Sequence, residues 1–446
     1  MSRSKYFPVK LLIFILMLIG LSVGSLASAS GPFVEYEARA VYSLNGEQVG
    51  DDFGWAAENL GDIDGDGVND MIISAPRHME AGSQTGKVYV FSGADGSLIT
   101  SATGDADDRL GWGASAAGDV NNDGVPDFIA GGIGSNDPSS PNFLEGHVLI
   151  VSGAVGHPIL ADLEDNAGEG FGYDVASAGD VDGDGCDEVI IGAPFANHTG
   201  LRAGRVYIYS VCKEAYLWTQ DGAEDFDFLG GGVGQVGLVN GDATPDLVAG
   251  AWGAGTASGG EAYVYDGNNG DVLLTLAPDI PGSGLRFGQF FASGAGDVNN
   301  DGTPDIFIGD YPARSKGGIG TGEAYVFSGI DGSTLYALNG EKHNDGFGVG
   351  RGAGDLNGDG YDDLIIAAYT SSDGAEYGGK AYLYSGRDGS VVRTITDRIT
   401  HDNFGVDALV LGDVNEDGAP DYLITAVGNS FDDADTGWAY VIAGIP

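Results

Sequence analysis

The chain has 446 residues, of which 66 are acidic and only 19 are lysine or arginine, for a formal net charge of −47 at pH 7. Such a surface repels polyanions over its whole extent, which excludes nucleic acid and anionic membranes as partners. Solvation in a salty habitat explains the acidic excess better than a dedicated cationic partner does.

In chain order, Arg3, Lys5 and Lys10 precede an apolar run from Leu11 to Gly24, and "LASAS" offers an Ala-x-Ala cut after Ala29. This is the pattern of a secretory signal peptide over residues 1–29, with an apolar run too short for a comfortable membrane span. No second apolar segment of that kind follows, so the mature chain is expected to carry no transmembrane segment and to be secreted, periplasmic or cell-surface. Calcium is abundant in those compartments. Losing the three basic leader residues takes the charge to −47 − 3 = −50.

Residues 36 to 45, "YEARAVYSLN", read as a strand, and "FGWAAENLGD" leads from there into a nine-residue acidic loop. That loop recurs seven times, starting at Asp62, Asp119, Asp180, Leu238, Asp297, Asp355 and Asp413, at intervals of 57, 61, 58, 59, 58 and 58 residues. A fixed period of this size means one structural unit used seven times. After each loop comes a short apolar run such as "MIISAP" or "LIIAAY", then an alternating segment such as "KVYVFSG", a "DGS" turn and a less regular strand. The apolar run reads as a buried strand and the alternation as a half-buried one. Each unit therefore supplies four strands with the acidic loop between the first and second, and seven such units fit an all-β, seven-bladed β-propeller over residues 30–446. The seventh unit ends at Pro446 after three strands, so the segment near 36–45 is expected to complete it and clasp the ring. Small second-strand residues, as in "FIAGG", would let neighbouring blades approach closely.

Oxygen-bearing side chains at loop positions 1, 3 and 5, glycine at 6, a carbonyl at 7 and a carboxylate at 9 curl a chain around a hard cation. The first loop offers Asp62, Asp64, Asp66, Val68 and Asp70, and the second Asp119, Asn121, Asp123, Val125 and Asp127. The third offers Asp180, Asp182, Asp184, Cys186 and Glu188. The fifth has Asp297, Asn299, Asp301, Thr303 and Asp305, and the sixth Asp355, Asn357, Asp359, Tyr361 and Asp363. The seventh has Asp413, Asn415, Asp417, Ala419 and Asp421. An all-oxygen set of this kind suits Ca²⁺, about six ions in all. Twelve positive charges would bring −50 to −38. An EF-hand is excluded because position 12 is aliphatic throughout, from Ile73 to Ile424. The fourth loop departs from the pattern: Leu238 and Ala243 replace the first carboxylate and the turn glycine. Only Asn240, Asp242 and Asp246 remain there, and this loop is expected to bind weakly or stay empty.

The order of "FG", the acidic loop, "GAP" and "YVFSG" resembles the FG-GAP repeat of the propeller at the N-terminal end of integrin α subunits. Phe53-Gly54, Phe171-Gly172, Phe287-Gly288, Phe347-Gly348 and Phe404-Gly405 match its first element, and Ala75-Pro76 and Ala193-Pro194 its second. The resemblance covers residues from about 36 to 446 and implies the propeller and its calcium loops, whereas the further domains and membrane span of integrins have no counterpart in the sequence.

Cys186 and Cys212 are the only cysteines. If Gly192 faces Val206 in their hairpin, both index pairs sum to 398 and the cysteines become cross-strand neighbours, so a disulfide is expected, with a reduced thiol pair as the alternative. No nucleophile elbow, phosphate loop or zinc motif is present, and no catalytic residue is assigned. The function expected is adhesion or ligand binding to an extracellular protein or glycan. The alternative is an extracellular polysaccharide lyase or hydrolase built on the face opposite the calcium loops, with Arg77, Arg109, Arg202, Arg286 and Arg314 as carboxylate binders. The scattered His78, His198, His343 and His401 read as surface histidines. Loops after Pro76 and from Gly134, Ala313 and Thr370 are candidate contacts.

Overall fold

The computed structural model describes residues 31–135, 143–165, 168–255, 259–279, 286–312, 320–428 and 436–445. The leader expected over 1–29, most of the candidate loop from Gly134 and the loop at 313–319 lie outside them.

Seven four-stranded antiparallel sheets form the blades, and their first strands touch in a closed ring around the axis. Blade 1 consists of Ala57–Gly61, Asp70–Ala75, Lys87–Phe91 and Leu98–Thr103 from axis to rim. Every second strand, from Asp70–Ala75 to Asp421–Ala426, is buried at all six positions. Such a strand is hydrogen-bonded on both edges and covered by a blade on each face, so an unbroken apolar run serves it better than alternation. Third strands, expected to be half-buried, go further: Glu323–Phe327 and Lys380–Tyr384 are buried throughout, because blade stacking also covers the outward side of the pleat. Exposure is greatest at the rim, where Leu98 and Ser101 of Leu98–Thr103 face solvent.

Blades approach one another through small residues. A Cβ on Gly192, in the second strand of blade 3, would come within 2.1 Å of the Gly230 carbonyl oxygen in blade 4, and Gly131 meets Gly172 in the same way. Gly172 of its Phe-Gly pair and Gly230 of the equivalent Leu-Gly pair, both at positive φ, are thus seats for a small residue of the neighbouring blade.

Closure follows the expectation and extends it. Ala40–Asn45 pairs antiparallel with Trp438–Ile442 and becomes the rim strand of blade 7, with Leu44 opposite Ala439. The clasp starts earlier than residue 36, on the neighbouring blade. Val34 N–H donates to the Thr396 carbonyl (2.8 Å), and the Glu35 carboxylate accepts from the Thr396 N–H and the hydroxyls of Thr394 and Thr396. Phe33 is 2% exposed and packs on the Phe404 and Tyr440 rings. The segment spans two blades because a buried aromatic anchor fixes its entry. No helix among the described residues is long and apolar enough to cross a membrane.

Candidate ion loops and the opposite face

Antiparallel pairing puts all seven acidic loops at one end of the blades and the second-to-third and fourth-to-first connections at the other. In the first loop the Asp62 carboxylate accepts the N–H groups of Gly65, Asp66 and Gly67, and the Asp66 carboxylate accepts that of Val68. Asp180 and Asp355 hold their loops identically. Position 6 lies in the left-handed region in six loops, as at Gly67 with φ 92°. Ala243 does not adopt it, and Leu238, 45% exposed, offers no acceptor. The fourth loop thus lacks both devices that curl the others.

Position 9 has a structural role that the spacing did not reveal. Asp70, fully buried, accepts the Ile63 N–H (2.8 Å) on one oxygen and the Gly93 N–H (3.0 Å) on the other, which ties the loop to the end of the third strand. Asp127, Asp305, Asp363 and Asp421 repeat this staple. Gly93 is needed for it, since a Cβ there would sit 1.8 Å from the Asn69 carbonyl oxygen. Burial pushes the Asp127 and Asp305 carboxyls up to about 6 and Glu188 up to about 7, against the pull of their backbone donors. A bound cation would oppose that shift.

The residues present fit a hard cation. Carboxylate oxygens of Asp62, Asp64 and Asp66 lie within 4.8 Å of one another, as do those of Asp180, Asp182 and Glu188. Asp182 Oδ1 and Asn299 Oδ1, both at position 3, are buried oxygens with no hydrogen-bond donor. Orphaned acceptors at ligand positions are what an oxygen-coordinated ion would satisfy.

Blade 3 is built differently from its neighbours. Glu188 and Val211 stand where other blades have aspartate and glycine, and Cys186 and Cys212 are bonded with Cα atoms 6.5 Å apart. Gly192 does face Val206 in this hairpin. Next to the bridge, the Lys213 ammonium contacts Asp182 and lies 3.1 Å from Asp184, positions 3 and 5 of the loop. Replacing both cysteines by serine is expected to cost about 3 kcal/mol for a loop of this size, read as a lower urea midpoint. An unchanged midpoint, or two free thiols in the unreduced protein, would refute the bridge.

Of the four histidines expected at the surface, His198 and His343 are exposed and His401 is half-buried, whereas His78 is 2% exposed beside Asp51. His198 meets Glu169, and His147, outside that set, lies between Asp108 and Asp162. Although burial opposes it, the two flanking carboxylates push His147 up to about 9. The acids Asp51, Asp108 and Glu169 belong to a set that sequence reasoning missed. Asp51, Asp108, Glu169, Asp227, Asp345 and Asp402 each precede the Phe-Gly or Leu-Gly pair by two residues and are buried. The repeat phase of this acid was the available signal. Of the five arginines, Arg77 pairs with Asp52 at 3.0 Å, Arg109 lies over the Trp112 ring, and Arg202 over Phe195. Arg286 donates its backbone N–H to Asp310, and Arg314 lies outside the described residues.

Near the axis, Trp55, Trp112, Tyr173, Trp252 and Phe290 form a connected aromatic cluster. Arg351 of blade 6 reaches Glu58 of blade 1 and Asp407 of blade 7, with 21% of its side chain still exposed. Burial works against its charge, but the two carboxylates hold it above the usual arginine range. Burial raises nearby Asp174 to about 8.

The FG-GAP repeat family matches residues 53–91 and 171–209, and the FG-GAP-like repeat family matches 355–424. Integrin alpha pat-2 of Caenorhabditis briggsae is 30% identical over 231 residues, covering 45% of this chain and 18% of the relative. Integrin alpha-8 of Gallus gallus is 29% identical over 246 residues, 52% of this chain and 22% of the relative. The chain thus spans less than a quarter of the length of these curated relatives.

Proposed function

Since the chain is an FG-GAP repeat protein resembling the propeller of integrin α subunits, we propose that it is a secreted, calcium-binding adhesion or ligand-binding module. Its partner is an extracellular protein or glycan. The observation that carries the calcium reading is the pair of orphaned oxygens, Asp182 Oδ1 and Asn299 Oδ1, at predicted ligand positions inside pre-curled loops. Six loops bind Ca²⁺ through positions 1, 3, 5, 7 and 9, and the fourth, with Leu238 and Ala243, does not. The ions hold each loop's carboxylates together against their mutual repulsion, and the ring they stiffen displays variable loops at its other end.

A metal count on the purified protein tests this, with about six calcium ions per chain expected and one or none overturning it. Lys213 supplies a second measurement. As a tethered cation on Asp182 and Asp184 it competes with calcium for the third loop. Lys213→Met is expected to tighten one site several-fold in a calcium titration and leave the other five unchanged. Identical titration curves would remove the third loop from the set.

A further inference from the structure

The face opposite the ion loops carries two arginines, Arg77 and Arg109, at the junction of blades 1 and 2. Arg109 is 7% exposed; its Nε–H donates to Gln84 Oε1 (3.0 Å), while its Nη1 is buried with no acceptor. Its guanidinium carbon lies 5.9 Å from the centre of the Trp112 ring, whose own indole N–H is also buried without an acceptor. Arg77, with 42% of its side chain exposed, meets Asp52 at 3.0 Å and is close enough to Arg109 to repel it electrostatically. Asp52 and Asp107 act electrostatically on Arg109, yet neither supplies an acceptor to Arg109 Nη1 or to the Trp112 indole N–H, so two buried donors near a solvent-facing guanidinium are left for an anionic acceptor.

We propose that Arg77, Arg109 and Trp112 form a binding site for a single carboxylate presented by a peptide. The proposal rests on reading this end of the ring as the recognition surface. One carboxylate is favoured over a polyanion because the net charge of −47 repels extended anions, leaving only a short-range site to overcome that field. A guanidinium meets a carboxylate through two parallel hydrogen bonds, and the indole N–H adds a third donor. A peptide is favoured over an acidic sugar because Arg109 and Trp55, the latter 4.9 Å away centre to centre, already flank the Trp112 ring, so it offers no bare face for a sugar to stack on. The exposed apolar neighbour is instead Met79, paired with Gln84 across the small hairpin Met79–Glu80/Ser83–Gln84, and its flexible thioether suits an adaptable side-chain contact.

The test is an NMR titration of ¹⁵N-labelled, calcium-loaded protein from the same batch as the metal count. The probes are N-acetyl-aspartate amide, its neutral asparagine counterpart and glucuronate. A saturable downfield shift of the Trp112 indole N–H with the aspartate probe alone is expected, weakened about tenfold by Arg109→Met. No saturation, an equal response to asparagine, or unchanged binding by Arg109→Met overturns the proposal. Glucuronate binding without aspartate binding also overturns it, in favour of a sugar. If Arg109→Met does not fold, Arg77→Met is read instead, with weaker aspartate binding expected and unchanged binding fatal. A full metal count with a failed titration sinks this site alone, whereas a failed count with a successful titration sinks the calcium reading and leaves the site standing.

Discussion

If the proposed loops hold calcium, a chelator is expected to lower the melting temperature of the protein by about 20 °C or more. A site filled at a hundred times its dissociation constant contributes about 2.7 kcal/mol. Six such sites together exceed the roughly 5–15 kcal/mol net stability of a typical fold. Without ions, the six complete loops would each gather three or four carboxylates, as at Asp62, Asp64 and Asp66, offset only in the third by Lys213. The fourth blade is the internal control. Its loop lacks Asp at position 1, so hydrogen exchange in Leu229–Gly237 is expected to respond least to chelation while the ring still holds. Melting curves that coincide with and without chelator would reduce the loops to turns.

Deleting residues 31–45 abolishes cooperative folding. The truncation strips Trp438–Ile442 of its rim partner and exposes an unpaired strand edge, and it uncovers Phe404 and Tyr440 where Phe33 now packs. It also removes the Glu35 carboxylate that joins blade 6 to the clasp. Aggregation, or loss of a sharp unfolding transition, is expected, and a synthetic peptide of residues 31–45 added in trans should restore part of the transition. A truncated protein that melts within a few degrees of the parent would mean that closure by this segment is dispensable.

The blade count, strand order and closing segment were legible because the repeat states each of them seven times, and one degenerate copy, Leu238 to Asp246, does not blur the period. The pairing of Cys186 with Cys212 was legible from register arithmetic within one hairpin. Features that belong to one copy, or that need residues from several, were not. Phe33 and Glu35 lie outside the repeat, so nothing in its pattern announced that the clasp reaches blade 6. Glu58, Arg351 and Asp407 sit in three blades and meet only when the ring curves. The position 9 carboxylates were read purely as ion ligands. Their bond to the glycine after the third strand joins residues 23 to 26 apart in the chain and appears only once that hairpin is folded.

Arg351 gives an otherwise uniform ring a fixed seam. Its two carboxylate partners come from the first and last blades to be synthesised, so before the ends meet the guanidinium has Asp407 but not Glu58. A charge held near the axis with half its counter-ions is unfavourable, so a partly assembled ring of six blades pays a penalty that the finished one escapes. Refolding of Glu58→Gln should therefore yield more misclosed species than refolding of the parent, and equal yields would count against this. The arginine serves as a checksum, satisfied by seven blades in the right cyclic order and by no shorter circle.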